Sequence, residues 1–164
     1  MMQKLADTTL KTRYGLFTET LFADEQQEII CLHMGNLKGA NAVYCRLHSS
    51  CIYGHYFNSL ECDCQQQMDL AMQQIAAKGA GIIVLLDQEG KGNGHLALMK
   101  SKAFKAQGLK QAEAYRAAGY PAEARDFTAA AQVLASFEMA SVNLDSSNEH
   151  KRAALISAGI KIEN

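Results

Sequence analysis

The rhythm of hydrophobic and polar positions changes near residue 65. Before it, Thr12-Arg13-Tyr14-Gly15-Leu16-Phe17-Thr18, Glu28-Ile29-Ile30-Cys31-Leu32-His33-Met34 and Ala42-Val43-Tyr44-Cys45-Arg46-Leu47 read as extended segments. Gly35-Asn36 and Gly39-Ala40-Asn41 separate the second from the third, which predicts an antiparallel meander over residues 10–47. After it, Met68, Ala71, Met72, Ile75 and Ala76 recur at helical spacing and stop near Gly79. Gly81-Ile82-Ile83-Val84-Leu85-Leu86 follows without alternation, as suits a strand buried on both faces. Leu96, Met99 and Ala103 mark a second helix ended by Gly108, and Ala130, Val133, Leu134 and Phe137 mark a third. A short strand over Ser141–Asp145 and a last helix over about 148–158, ended by Gly159, complete the pattern before Ile160-Lys161-Ile162. The prediction is an α/β fold: a mixed sheet with N-terminal antiparallel strands, then alternating helices and strands. Pro121, the lone proline, falls in a connection.

Composition narrows the classes. With 48% hydrophobic and 20% charged residues, and 16 Lys+Arg against 17 Asp+Glu, the chain is neither disordered nor a nucleic-acid binder driven by net charge. Its 164 residues suit one domain spanning 1–164. The longest apolar run, around Ile82–Leu86, is far below the roughly 20 residues of a spanning helix. Met1-Met2-Gln3-Lys4-Leu5-Ala6-Asp7 lacks a signal-peptide core, so a reducing cytoplasm is the expected setting for the five cysteines.

Cys51-x10-Cys62-Asp63-Cys64 is the strongest chemical signal. Three thiols this close in sequence can converge on one tetrahedral ion, and zinc with three protein ligands and a water is the arrangement of a hydrolytic centre. A structural site closed by His48 or His55 is the alternative, and Cys31 and Cys45 read as small buried hydrophobes. A second signal is Asp87-Gln88-Glu89-Gly90-Lys91-Gly92-Asn93-Gly94-His95, between a strand and a helix, where α/β ligands bind but where a flexible connection is equally expected. It matches neither the Walker A nor the dinucleotide spacing. Arg125 before an Asp126 N-cap, and a Ser146-x-x-Glu149 capping box with Lys151 on the first turns, offer helix N-termini with cations suited to phosphate.

Together, Arg46-Leu47-His48-Ser49-Ser50-Cys51, Asn58-Ser59-Leu60-Glu61-Cys62-Asp63-Cys64-Gln65-Gln66-Gln67, Gln88-Glu89-Gly90-Lys91 and Ala124-Arg125-Asp126-Phe127 resemble the GTP cyclohydrolase II family of riboflavin biosynthesis. The likeness runs from Cys51 to the C-terminus and more loosely from Leu5. It implies a zinc ion on Cys51, Cys62 and Cys64 whose water attacks C8 of the purine and releases formate. It also implies a magnesium-dependent step in which pyrophosphate leaves after Arg125 attacks the α-phosphate. Nucleotide contacts would fall on Arg46, His48, Ser49, Gln67, Glu89, Lys91, Ser146 and Lys151, in a cytoplasmic homodimer that neither enters a membrane nor binds nucleic acid. Physically, a guanidinium that stays protonated suits electrostatic stabilisation of phosphate better than attack.

Departures from the family pattern shift the details. Ser50 stands where the family usually has Glu, Lys91 where it has Arg, Lys102 where it has a catalytic Tyr, and Glu123 where it has Asp. Ser146-Ser147-Asn148-Glu149 replaces Thr-Asn-Asn-Pro. Glu123 and Lys102 are the candidates for proton transfer and Glu89 for recognition of the base. Two alternatives stay open: hydrolysis of a different cyclic amide or amidine, and a non-catalytic nucleotide-binding module in which zinc staples residues 51–64.

Overall fold

A computed structural model describes residues 1–164. Two compact units divide the chain: Met1–His48, Asp63–Leu86 and Phe127–Asn164 form the first, Ser49–Cys62 and Asp87–Asp126 the second.

The first unit is built on one six-stranded sheet, in the order β1-β2-β3-β5-β4-β6. Its strands are β1 (Gln3–Thr12), β2 (Gly15–Ala23), β3 (Glu28–Met34), β4 (Val43–Ser49), β5 (Gly81–Leu86) and β6 (Val142–Leu144). β1, β2 and β3 pair antiparallel in sequence order, β3 pairs antiparallel with β5, and β4 runs parallel to β6, so the sheet is mixed as expected. Two expectations for the N-terminal region need correction. Residues 12–18 are not one strand: Thr12 faces Gly15 across a hairpin, its hydroxyl donating to the Gly15 carbonyl at 2.9 Å. Nor is β4 the next rung of a meander, because β5 lies between β3 and β4. The reason is burial: β5 carries apolar residues on both faces and takes a central position, flanked by strands on both edges.

Alternation along β5 divides the apolar interior in two. Ile82, Val84 and Leu86 pack with Ile29, Cys31, Cys45 and Leu47 of neighbouring strands and with Val133, Leu134 and Leu155. Those last three come from α5 (Thr128–Ala135) and α6 (Glu149–Ser157). Ile83 belongs to the opposite cluster, with Phe17, Tyr44, and Ala71 and Ile75 of α2 (Cys64–Lys78). Gly79 ends α2 in the left-handed conformation at φ 70, which glycine adopts without a Cβ penalty. Burial pushes the Cys31 thiol up and the Cys45 thiol up to about 12, so both are inert fillers, in keeping with the sequence reading.

The second unit holds α1 (Ile52–His55), α3 (His95–Ala106) and α4 (Gln111–Ala117). α4, which no apolar stripe announced, packs against α3 and buries Ala114 and Tyr115. The Leu96/Met99 stripe marks a helix but not its buried face: those side chains are 60% and 53% exposed, whereas Ala97 and Ser101 are buried. No helix of the chain is long and apolar enough to cross a membrane.

Candidate active site

The chemistry-bearing cysteines are placed by short local structure. Cys51 caps α1, its sulfur accepting from the Gly54 amide, and Cys64 opens α2. The Sγ atoms of Cys51 and Cys62 are 3.7 Å apart, and all three sulfurs lie within 4.8 Å of one another. A disulfide needs about 2.05 Å. Two thiolates on a tetrahedral zinc at about 2.3 Å would stand roughly 3.8 Å apart, so the spacing fits a metal. The cluster contains no histidine: His55 Nδ1 accepts from the Cys51 amide at 3.3 Å, and His48 Nδ1 accepts from Arg46 Nε at 3.0 Å. Three thiols make three of the four donors of a tetrahedral zinc.

Around this cluster the second unit forms a cavity of about 300 Å³, lined by Cys51, Tyr53, Glu61, Cys62, Lys102 and Lys105 among others. Lys102 Nζ donates to Glu61 Oε2 at 2.6 Å and stands 4.8 Å from the Tyr53 ring centre. The Glu61 hydrogen bond raises the Lys102 pKa above its ordinary value. His95 packs on the same tyrosine, with ring centres 5.1 Å apart. Its Nδ1 is 3.0 Å from Glu89 Oε1 but lacks the alignment of a hydrogen bond. Glu89 Oε1 instead accepts from the Ile52 amide at 3.0 Å, which fixes the carboxylate beside the start of α1. Ser50 Oγ donates to Asp87 Oδ1 at 3.1 Å, so a carboxylate still stands beside the position where the family usually has one.

The glycine-rich segment is a packed turn rather than the flexible connection considered above. Gly92 donates its amide to the Gln88 and Glu89 carbonyls at 3.1 Å, and Lys91 accepts from the Ala124 amide at 2.9 Å. Gly92 has φ 82, and a Cβ there would lie 2.6 Å from the Ala124 carbonyl, so only glycine permits this approach. Beyond it, Arg125 grips Glu123 through two parallel bonds, Nε to Oε1 at 2.7 Å and Nη2 to Oε2 at 2.6 Å. Burial pulls the Glu123 carboxyl up, but the Arg125 hydrogen bonds and charge outweigh it and hold the pKa below its ordinary value. Asp126 is not an N-cap: α5 is capped at Phe127 without a side-chain bond, and the Asp126 carbonyl accepts from Gln88 Nε2 at 2.6 Å.

The remaining sequence candidates, apart from Ser49, lie in the first unit. Arg46 is held by three partners: His48 Nδ1, Asp145 Oδ2 at 2.9 Å and Gln67 Oε1. Asp145 also accepts from the Tyr44 hydroxyl at 2.6 Å. Burial raises its pKa less than the Tyr44 and Arg46 hydrogen bonds lower it, so it stays ionised. Lys151 Nζ donates to the Leu47 carbonyl at 2.9 Å. The expected Ser146–Glu149 box is displaced by two residues: Asn148 caps α6, accepting from the His150 and Lys151 amides, and Ser146 Oγ accepts from the Asn148 amide. Ser49 Oγ is buried without a partner, which leaves an unsatisfied hydroxyl. Tyr53, Glu61, Asp87, Tyr44 and Asp145 escaped the sequence reading, since none sits in a spacing that signals chemistry; only the closeness of Tyr53 and Glu61 to the cysteines hinted at them.

Comparison with known proteins decides the family. The model of GTP cyclohydrolase II matches residues 3–164. GTP cyclohydrolase-2 of Streptomyces coelicolor is 40% identical over 164 residues, covering 98% of this chain and 74% of that protein. This chain belongs to the GTP cyclohydrolase II family. The GTP cyclohydrolase-2 of Neisseria gonorrhoeae is 36% identical over 163 residues, covering 99% of this chain and 83% of that one. Among solved structures, the two-domain 3,4-dihydroxy-2-butanone 4-phosphate synthase RibBX from A. baumannii is similar at a TM-score of 0.51 and 15% identity. That match covers 90% of this chain and 34% of the solved one, about a third of its length, and speaks to the fold alone. Membership makes the chain one of an enzyme family, and its three-thiol cluster is compatible with the zinc that GTP cyclohydrolase II enzymes use.

Proposed function

We propose that the chain is a zinc-dependent hydrolase that opens the imidazole ring of GTP in riboflavin biosynthesis. The observation that carries the reading is the cluster of Cys51, Cys62 and Cys64, three thiols without a histidine, a donor set that suits a catalytic zinc completed by water. Zinc held by Cys51, Cys62 and Cys64 would supply an activated water as nucleophile for the ring carbon.

The chain's own residues bind, orient and move protons. Glu89, fixed by the Ile52 amide, offers carboxylate oxygen to the N–H edge of a guanine, with Lys91 beside it in sequence. Further nucleotide contacts are assigned to Arg46, His48, Ser49, Gln67 and Ser146, with Lys151 on phosphate, and the unsatisfied Ser49 hydroxyl supports a ligand at that position. Arg125 carries a planar guanidinium held in a fork onto Glu123, which supports stabilisation of phosphate charge rather than nucleophilic attack. Mg2+ would offset the remaining triphosphate charge. Ring opening adds water oxygen to C8 and breaks C8–N9, and a proton released by the water passes to the departing nitrogen; Glu123 and Lys102 are the proton-transfer candidates. A homodimer in the cytoplasm belongs to the same proposal and rests on the family.

One observation favours an earlier stopping point. The cavity beside Cys51 and Cys62 holds the Lys102 ammonium, paired with Glu61, where the family usually has a phenol. Zinc-loaded protein incubated with GTP, ATP and guanosine, with products identified by mass and formate and pyrophosphate quantified, tests both readings. Ring-opened product from GTP is expected, with formamide accumulating ahead of formate. Unchanged GTP would refute the substrate assignment, and one formate per turnover would refute the early stop.

A further inference from the structure

We propose that Lys102 is a positioning residue for the metal thiolates, one ammonium that ties the segment bearing Cys51 to the segment bearing Cys62. The proposal rests on reading the three thiols as a zinc site. Tyr53 lies two residues after Cys51, and Glu61 immediately precedes Cys62. Lys102 reaches both, at 4.8 Å from the Tyr53 ring centre and 2.6 Å from Glu61 Oε2. It does so from the middle of α3, a helix of twelve residues that buries Ala97 and Ser101 and so gives the cation a fixed base. All three side chains line one cavity together with Cys51 and Cys62.

The segment between the two cysteines needs such a tie. Phe57 is 68% exposed and Leu60 101%, so apolar burial does not anchor it. At its start the Ile52 amide donates to Glu89 Oε1 at 3.0 Å; further along, the Ser59 amide donates to the Tyr53 carbonyl at 3.0 Å and the Glu61 amide to Ser59 Oγ at 3.1 Å, both local bonds. A cation that fixes both cysteine segments lowers the ordering cost that binding would otherwise carry, which is how groups around a metal site govern affinity.

The test is zinc affinity, measured by competition with a chromogenic chelator on the full chain. Lys102→Met is expected to weaken zinc binding about tenfold, the lower end of the range for outer-shell changes. Lys102→Arg and Tyr53→Phe keep the cation and the ring and should stay within about twofold of wild type, while Glu61→Gln and Tyr53→Leu should each lose part of the effect. The Glu61→Gln/Lys102→Met double variant should be no weaker than Lys102→Met. Raising the salt from 0.05 to about 0.5 M should narrow the gap between wild type and Glu61→Gln, because the pair is exposed. Circular dichroism and thermal unfolding of the metal-free variants separate lost affinity from lost fold. Lys102→Met binding zinc as tightly as wild type, or Lys102→Arg as weak as Lys102→Met, would overturn the proposal. Wild-type protein that holds no zinc would instead overturn the metal reading beneath it.

Discussion

In the sheet unit Ile75, Ile82, Val84, Leu134 and Leu155 are each at most 1% exposed, whereas the buried apolar side chains of the second unit are Ala97, Ala114 and Tyr115. The first unit has a two-sided hydrophobic interior. The second is held by directional polar links: Glu89 to the Ile52 amide, Arg125 to Glu123, Lys102 to Glu61, Asn93 to the Pro121 carbonyl and Gln111 to Ser101. Hydrophobic burial tolerates small shifts, while such links depend on angle and distance. Cys51, Cys62, the cavity and the Arg125 fork thus belong to the less apolar unit, as expected where function concentrates in irregular segments.

Removing metal should widen this contrast the most. Cys62→Ser is expected to abolish zinc binding and GTP turnover, and to raise hydrogen exchange across residues 49–62 and 87–126 while the strands keep their protection. Equal loss of protection in both units would show that they share one source of stability. Ile75→Ala attacks the other side: Ile75 is fully buried against Ala71 and Ile83, and its truncation should cost about 2–5 kcal/mol of global stability. Zinc content per folded molecule should not change, which metal analysis of the purified variant would check.

Legibility in the sequence follows the same division. β3, β4 and β5, the α2 stop at Gly79 and the α5 stripe were readable because burial leaves apolar strand segments, an unbroken apolar run where both faces are covered, or helical spacing. β1 was not, because nearly every residue along it is exposed and pairing with β2 needs no apolar pattern. α3 was found through Leu96 and Met99, the wrong face, since a helix in a small-residue contact buries Ala97 and Ser101 instead. At the site, the three cysteines were legible by spacing. The link from Lys102, itself a sequence candidate, to Tyr53 and Glu61 was not, because the three meet only after folding. The cap of α6 was misplaced by two residues, since Ser146 and Asn148 both suit the role at neighbouring positions, and that of α5 by one, since Phe127 takes the position with no side-chain bond to signal it.

Gly92→Ala probes whether the second unit tolerates displacement. The new Cβ would meet the Ala124 carbonyl at 2.6 Å and the Arg125 amide at 2.8 Å, both backbone, at a φ that alanine disfavours. Relief requires the 90–94 turn and the 124–125 segment to part, at about 1–3 kcal/mol of local strain. A fall in kcat/KM with zinc content intact is expected, because Lys91 and Arg125 flank the contact while the cysteines do not. Unchanged kinetics would mean that the turn is as pliable as its glycine content implies.

The smallest effect, and the most specific, belongs to Glu123. Its folded pKa is held below the ordinary value by Arg125, so the fork contributes its full stabilisation above the unfolded carboxyl pKa of about 4.3. That contribution is lost as pH falls through the lowered folded value. Metal-free protein is the right sample, because protonation of thiolates also releases zinc and would add its own pH dependence. Hydrogen exchange over residues 87–126 should therefore accelerate on acidification from pH 6 to about 3.5 in wild type. In Glu123→Gln the fork is already weakened at pH 6 and the acceleration should shrink by an amount worth at most about 1 kcal/mol, since the pair remains partly exposed. Some slope should survive, because Glu61 is held low by Lys102 in the same unit. Exchange in the strands should be indifferent to the substitution at either pH; a matching change there would show that the Arg125–Glu123 fork stabilises the whole chain and not the second unit alone.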